Sequence, residues 1–143
     1  MMMFDKYNNE DVGTFYELNS DLLNKAENNL DIQFPASLVS FYNSVGYGFF
    51  NSTLGNINRL MDPYSVAEFR TRSGQFAERE DLDIYEDSEG DKLVFFEANE
   101  YTFVSIAFTG NDLGKVFFMN KKIADSLEEF LERFVADEQF FIK

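Results

Sequence analysis

Cysteine, histidine and tryptophan are absent from the chain, and proline occurs twice. Without cysteine there is no disulfide, no thiolate nucleophile and no cysteine-held zinc. Without histidine there is no Ser-His-Asp triad, no imidazole acid–base catalysis and no ordinary transition-metal site. No metal and no cofactor is therefore expected. Cations are scarce as well: 12 Lys and Arg stand against 26 Asp and Glu, a formal net charge of −14. Such a surface is repelled by phosphate, which argues against a nucleic-acid partner. It leaves two readings open, a basic protein partner or plain solubility. Polar or charged residues interrupt every apolar stretch well short of the ~18 residues needed to cross a bilayer, so no membrane partner is expected. The opening Met1-Met2-Met3-Phe4-Asp5-Lys6 has neither the basic start nor the unbroken apolar stretch of a secretion signal. The expectation is a soluble, cytoplasmic protein.

What is abundant is aromatic: 18 Phe and 7 Tyr in 143 residues. Disordered acidic chains are poor in aromatics, so this composition describes an ordered core inside a charged shell. A chain of this length suits one domain, residues 1–143, and buries roughly 68–70% of the surface its unfolded form exposes.

The spacing of apolar residues predicts the elements. Leu22, Leu23, Ala26 and Leu30 fall on one stripe of a helix, with Ser20 or Asp21 as its N-cap. Pro35 suits the first position of a second helix carrying Phe34, Leu38, Phe41, Tyr42 and Val45, and Gly46 suits its left-handed stop. Phe49–Phe50 and Ile57–Leu60 read as short strands. Asp62-Pro63 opens a third helix, Pro63 to about Arg72, with Val66 and Phe69 inside. Residues 74–91 read as a polar loop holding at most one short strand around Ile84-Tyr85. Leu93–Phe96, Tyr101–Phe108 and Lys115–Met119 follow as strands whose links are too short for a crossover helix, so they pair antiparallel. Ser126 and Glu129 have capping-box spacing ahead of a last helix with Leu127, Phe130, Leu131 and Phe134 as its buried stripe. The predicted class is α+β: a mainly antiparallel sheet with N-terminal helices and a C-terminal helix packed against it.

Motifs for chemistry are weak. Gly46-Tyr47-Gly48 has a helix before it and strand after, the reverse of a phosphate loop, and no Walker lysine follows. The run Asp81 to Asp91 lacks the glycine and terminal glutamate of an EF-hand loop in any register. Glu97 and Glu100 flank a turn, where solvated carboxylates are ordinary, and among 26 acids some pair always suits a glycosidase.

Two features are less easily set aside. Glu78, Glu80, Asp81, Asp83, Glu86, Asp87, Glu89 and Asp91 face only Arg79 within 78–91, so half the net charge sits in about a tenth of the chain. One reading is a solvated loop. The other is a docking surface for a Lys/Arg-rich protein, which would make these eight acids the partner-binding residues. The pairs Phe49-Phe50, Phe95-Phe96, Phe117-Phe118 and Phe140-Phe141 each offer one ring to either side of a strand. If both sides are covered the rings are core. If one is bare, exposed rings mark an interface.

The order of these strings resembles the SUKH superfamily, the Smi/Knr-type domains. The resemblance rests on Leu30-Asp31-Ile32-Gln33-Phe34-Pro35-Ala36-Ser37-Leu38, Phe41-Tyr42, Gly46-x-Gly48 and Asn58-Arg59-Leu60-Met61-Asp62-Pro63. It continues through Gly114-Lys115-Val116-Phe117-Phe118 and Ile123 to Leu131, covering about residues 20–135. The chain departs from that pattern at Asp31, where the family usually has glycine, and at Ser44 to Gly48, where it has Asn-Gly-Gly. The resemblance implies an α+β domain with no catalytic residues. Bacterial members are mostly immunity proteins that bind and neutralise a cognate polymorphic toxin, often a nuclease; fungal relatives regulate cell-wall signalling. The expectation is a non-catalytic protein-binding module, either an immunity protein facing a basic toxin domain or a regulatory or scaffolding domain with another protein partner. A carboxylate-only hydrolase would instead need two acids converging in a deep pocket, at least one with a raised pKa.

Overall fold

The computed structural model describes residues 4–142; Met1 to Met3, part of the opening read above, and Lys143 lie outside the described residues. Seven strands form one antiparallel sheet in chain order: β1 (Gly13–Tyr16), β2 (Tyr47–Phe50), β3 (Arg59–Leu60), β4 (Lys92–Asn99), β5 (Thr102–Ala107), β6 (Val116–Phe118) and β7 (Lys121–Ala124). Helices α1 (Ser20–Leu30) and α2 (Ala36–Ser44) lie between β1 and β2, α3 (Pro63–Thr71) between β3 and β4, and α4 (Leu127–Ala136) closes the chain. The class is the α+β expected.

The caps explain where the helices begin. The Asn19 side chain accepts from the Asp21 N–H, so the cap of α1 is Asn19, one residue before Ser20 and two before Asp21, the caps expected. Asp31 ends α1 in the left-handed region, φ 55°, a conformation that Asp tolerates better than most residues. Pro35 is the residue before α2 rather than its first. Asp62 caps α3, accepting from the Ser65 N–H, with Pro63 at the first turn. At α4 the Ser126 hydroxyl accepts from Glu129 N–H as the box requires. The Glu129 carboxylate, however, accepts from the N–H of Asp125, one residue earlier than that motif implies.

Gly46, just before β2, and Gly48, within it, lie where the backbone of β1 comes close. Their φ values are +107° and +151°, and a Cβ at either would collide with a β1 carbonyl, that of Tyr16 or of Thr14.

Register assigns each strand residue a face. Phe15 lies opposite Gly48, Gly48 opposite Leu60, Leu60 opposite Phe96 and Phe96 opposite Val104, all on one side. That side is packed by α2 and α4. Phe50, also on it, touches Phe41 of α2 and Phe134 of α4 at ring-centroid distances of 6.4 and 6.0 Å; Phe96 meets Phe130 and Phe134 at 5.4 and 4.9 Å. On the opposite side Phe103 of β5 is roofed by Phe69, Phe76 and Tyr85 at 4.9 to 5.9 Å. The roof is α3 together with two 3-10 helices, Gly74–Phe76 and Glu80–Ser88. It covers β4 and β5, reaches Arg59 of β3 through Gln75, and leaves the same side of β1 and β2 open: Tyr16 and Phe49 are 49% and 41% exposed. Both rings of Phe95-Phe96 are buried, as are Phe50, Phe117 and Phe141, so the aromatic pairs serve the core, with Phe49 the clear exception.

The stretch 74–91 is neither loop nor strand. Leu82, Tyr85 and Ser88 recur every third residue, the period of a 3-10 helix, and all three are buried. The Tyr85 hydroxyl accepts from Phe103 N–H at 3.0 Å and donates to the Tyr101 carbonyl at 2.9 Å, stitching the helix to the β4–β5 end of the sheet.

Candidate interaction surface

With every third residue of Glu80–Ser88 turned inward, the charged residues between them turn outward. Glu80, Asp81, Asp83, Glu86 and Asp87 are exposed, as is Glu78 just before the helix. The other two acids of the run are held internally. Glu89 is buried and takes a two-pronged ion pair from Arg72, Nη2 to Oε2 at 2.6 Å and Nη1 to Oε1 at 3.2 Å. Burial still raises its pKa, with Arg72 pulling the other way. Asp91 is half-buried and pairs with Lys92 at 2.8 Å. Arg79, the lone cation of the run, donates from Nε and Nη2 to Asp81, at 2.8 and 2.6 Å, and from Nη2 to the Glu100 carbonyl at 3.0 Å. Asp81 is held below the usual carboxylate range by that hydrogen bond. An acidic ridge results, with Arg70 and Arg72 of the α3 end gripping its base at Glu89, Lys92 and Leu82.

A second carboxylate cluster lay outside the sequence reading. Glu138, just past α4, accepts from Ser52 Oγ (2.7 Å), Asn58 Nδ2 (3.0 Å), Thr53 N–H (3.0 Å) and Asn56 Nδ2 (3.1 Å). Burial pushes its pKa up, but these hydrogen bonds outweigh it and hold the carboxyl at about 2. The cleft beside it, about 450 Å³, also has Asp11 and Asp137 in its wall. A general acid needs the opposite shift, and the Glu138 oxygens already serve the 52–58 segment. The cluster is a latch tying the β2–β3 connection to the C-terminal end of α4. Its only sequence signal is a polar Asn/Ser/Thr-rich stretch facing an acid more than 80 residues away. Glu97, by contrast, is raised by burial against the pull of Arg59, its ion-pair partner at 3.1 Å. Among the described residues, no group of three or more His, Cys, Asp or Glu is placed to hold a metal ion, and no helix is long and apolar enough to cross a membrane.

A seven-stranded antiparallel sheet with helices on its two sides defines the domain. A family model, SUKH_6, described as SMI1-KNR4 cell-wall, matches residues 20–131, and the chain belongs to this family. A curated relative is the immunity protein YxxD of Bacillus subtilis (strain 168). The two are 39% identical over 139 residues, covering 97% of this chain and 93% of that protein.

Proposed function

We propose that this chain is a cytoplasmic, non-catalytic immunity protein that binds a basic toxin domain, a nuclease being the fitting class, and blocks its active site. What carries the reading is the likeness, along nearly its whole length, to a protein named as an immunity protein. The acidic ridge supplies the chemistry. On this reading the exposed Glu78, Glu80, Asp81, Asp83, Glu86 and Asp87 imitate the phosphates a nuclease expects, while Glu89 and Asp91 pair with Arg72 and Lys92 at the base of the ridge. Such a patch raises association rates by about 10–10³, an advantage that fades with salt over ~8–10 Å of screening. Replacing Glu80, Asp83, Glu86 and Asp87 by their amides and following association with the toxin domain at rising salt tests this. A slower on-rate with a flatter salt dependence is expected; unchanged kinetics would remove the ridge from the interface.

The family's cell-wall description favours one alternative, a regulatory or scaffolding domain with a non-toxin protein partner. A large toxin gene beside this one supports the first reading, and its absence supports the second.

A further inference from the structure

The open half of the sheet carries a row that register alone defines. Thr14 pairs with Phe49 and Tyr16 with Tyr47; Phe49 pairs with Arg59, and Arg59 with Glu97, so all six side chains share one side. The same side is roofed at Phe103 and bare at Tyr16 and Phe49. Tyr16 and Tyr47 lie 5.7 Å apart, centroid to centroid, beside Phe49, forming a preformed aromatic platform. Exposed Tyr and Phe grouped in this way are what the desolvated centre of a protein interface is made of.

What lies around the platform specifies its occupant. At the β3–β4 edge, Arg59 donates to Gln75 and pairs with Glu97. Arg79 ties the start of the acidic ridge to Glu100 at the β4–β5 turn. Glu78, Glu80 and Asp81, around Arg79, thus sit with Glu100 beyond Glu97 on the β4 side of the row, and exposed Glu17 follows Tyr16 at the far edge. A second copy of this chain, itself at −14, would bring like charge to these acids. We infer that the platform Tyr16–Tyr47–Phe49 is the docking centre for a basic protein, whose arginines stack on the tyrosines while its outer Lys and Arg meet these acids. This deepens the function proposed above and shares its premise of a basic partner, but it adds a separate surface.

The two can fail separately. A photo-crosslinking p-benzoylphenylalanine is placed at Phe49, at Ile84 on the ridge, or at Leu113 in the β5–β6 turn, all exposed. Adducts formed in the native host are identified by mass spectrometry, and the captured protein is then purified. The expected result is a basic protein captured at Phe49. For that purified protein, Tyr16→Ser with Phe49→Ser should weaken binding at least about thirty-fold, through faster dissociation, with thermal melting of the variant unchanged. Capture of a basic protein at Ile84 but not Phe49 would overturn the platform and leave the ridge standing. A second copy or an acidic protein at Phe49, or full affinity in the double variant, would also overturn it. Capture at Leu113 alone, or at no position, would end both readings.

Discussion

Phe49 and Phe50 are neighbours in sequence and opposites in fate. Phe50 sits among Tyr7, Phe15, Phe41, Phe96 and Phe134, while Phe49, one residue earlier on the same strand, faces out beside two tyrosines. A strand sends successive side chains to opposite sides, so what separates the two is coverage: α2 and α4 pack one side, and the roof on the other stops short of β2. Residue type therefore says less here than which side of β2 is turned to which layer. The largest test of this contrast is a pair of truncations. Phe96→Ala removes a fully buried ring that meets Phe50, Phe95, Phe130 and Phe134, and should cost about 4 kcal/mol, seen as a fall in Tm of roughly 15 °C. Phe49→Ala should change stability by less than about 1 kcal/mol. Comparable losses would mean that the open half is core after all.

The next effects concern two carboxylates, one on each side of the sheet, whose pKa values move in opposite directions. Glu138 latches the packed side and is held at about 2, against 4.5 for an ordinary glutamate. A lowered pKa means that the unfolded chain binds the proton more tightly, so this contribution is full above pH 4.5 and disappears as pH falls toward 2. Glu138→Ala should cost about 2 kcal/mol at pH 7, since it strands four donors, and the difference from wild type should narrow by pH 3 in urea unfolding. Glu97, at the edge of the open row, is raised by burial with Arg59 opposing. Its contribution has the reverse sign: it is present below pH 4.5 and is lost as pH rises through the raised value. Arg59→Ala should cost about 1 kcal/mol at pH 7 and recover as the pH is lowered, because protonated Glu97 no longer needs its partner. A loss that grows on acidification would reverse that assignment.

Much of the helix and strand framework was legible because its signals are local. Asp62-Pro63 at α3, Ser126 with Glu129 at α4, the Phe41 stripe of α2 and the three strand runs from Leu93 to Met119 each state their element within a few residues. β1 and β7 escaped because they are edge strands. Gly13-Thr14-Phe15-Tyr16 finds its partner more than thirty residues on, and Lys121-Lys122 puts charge at the outer edge, where lysine discourages stray pairing. The acidic stretch was misread through its charge, which hid the inward period of Leu82, Tyr85 and Ser88. Its eight acids were visible at once, but that two of them are turned to Arg72 and Lys92 depends on contacts set by tertiary packing. The bare aromatic row needed the register itself, since nothing within Tyr47-Gly48-Phe49-Phe50 says where the roof ends.

The smallest expected change separates an acidic ridge kept for folding from one kept for a partner. In the variant with amides at Glu80, Asp83, Glu86 and Asp87, none of the four removed charges makes an ion pair among the described residues, and all four face solvent. Each sits among like charges that repel one another in the compact state more than in the extended chain. Removing them should leave stability within about 0.5 kcal/mol of wild type, with any change toward greater stability, read as a Tm equal to or slightly above that of the parent. Salt should raise the parent's Tm more than the variant's, because screening does for the parent what amidation has already done. A variant that melts several degrees lower would make the ridge a structural feature of the fold. Unchanged stability would leave the uncompensated charge for something outside the chain to explain.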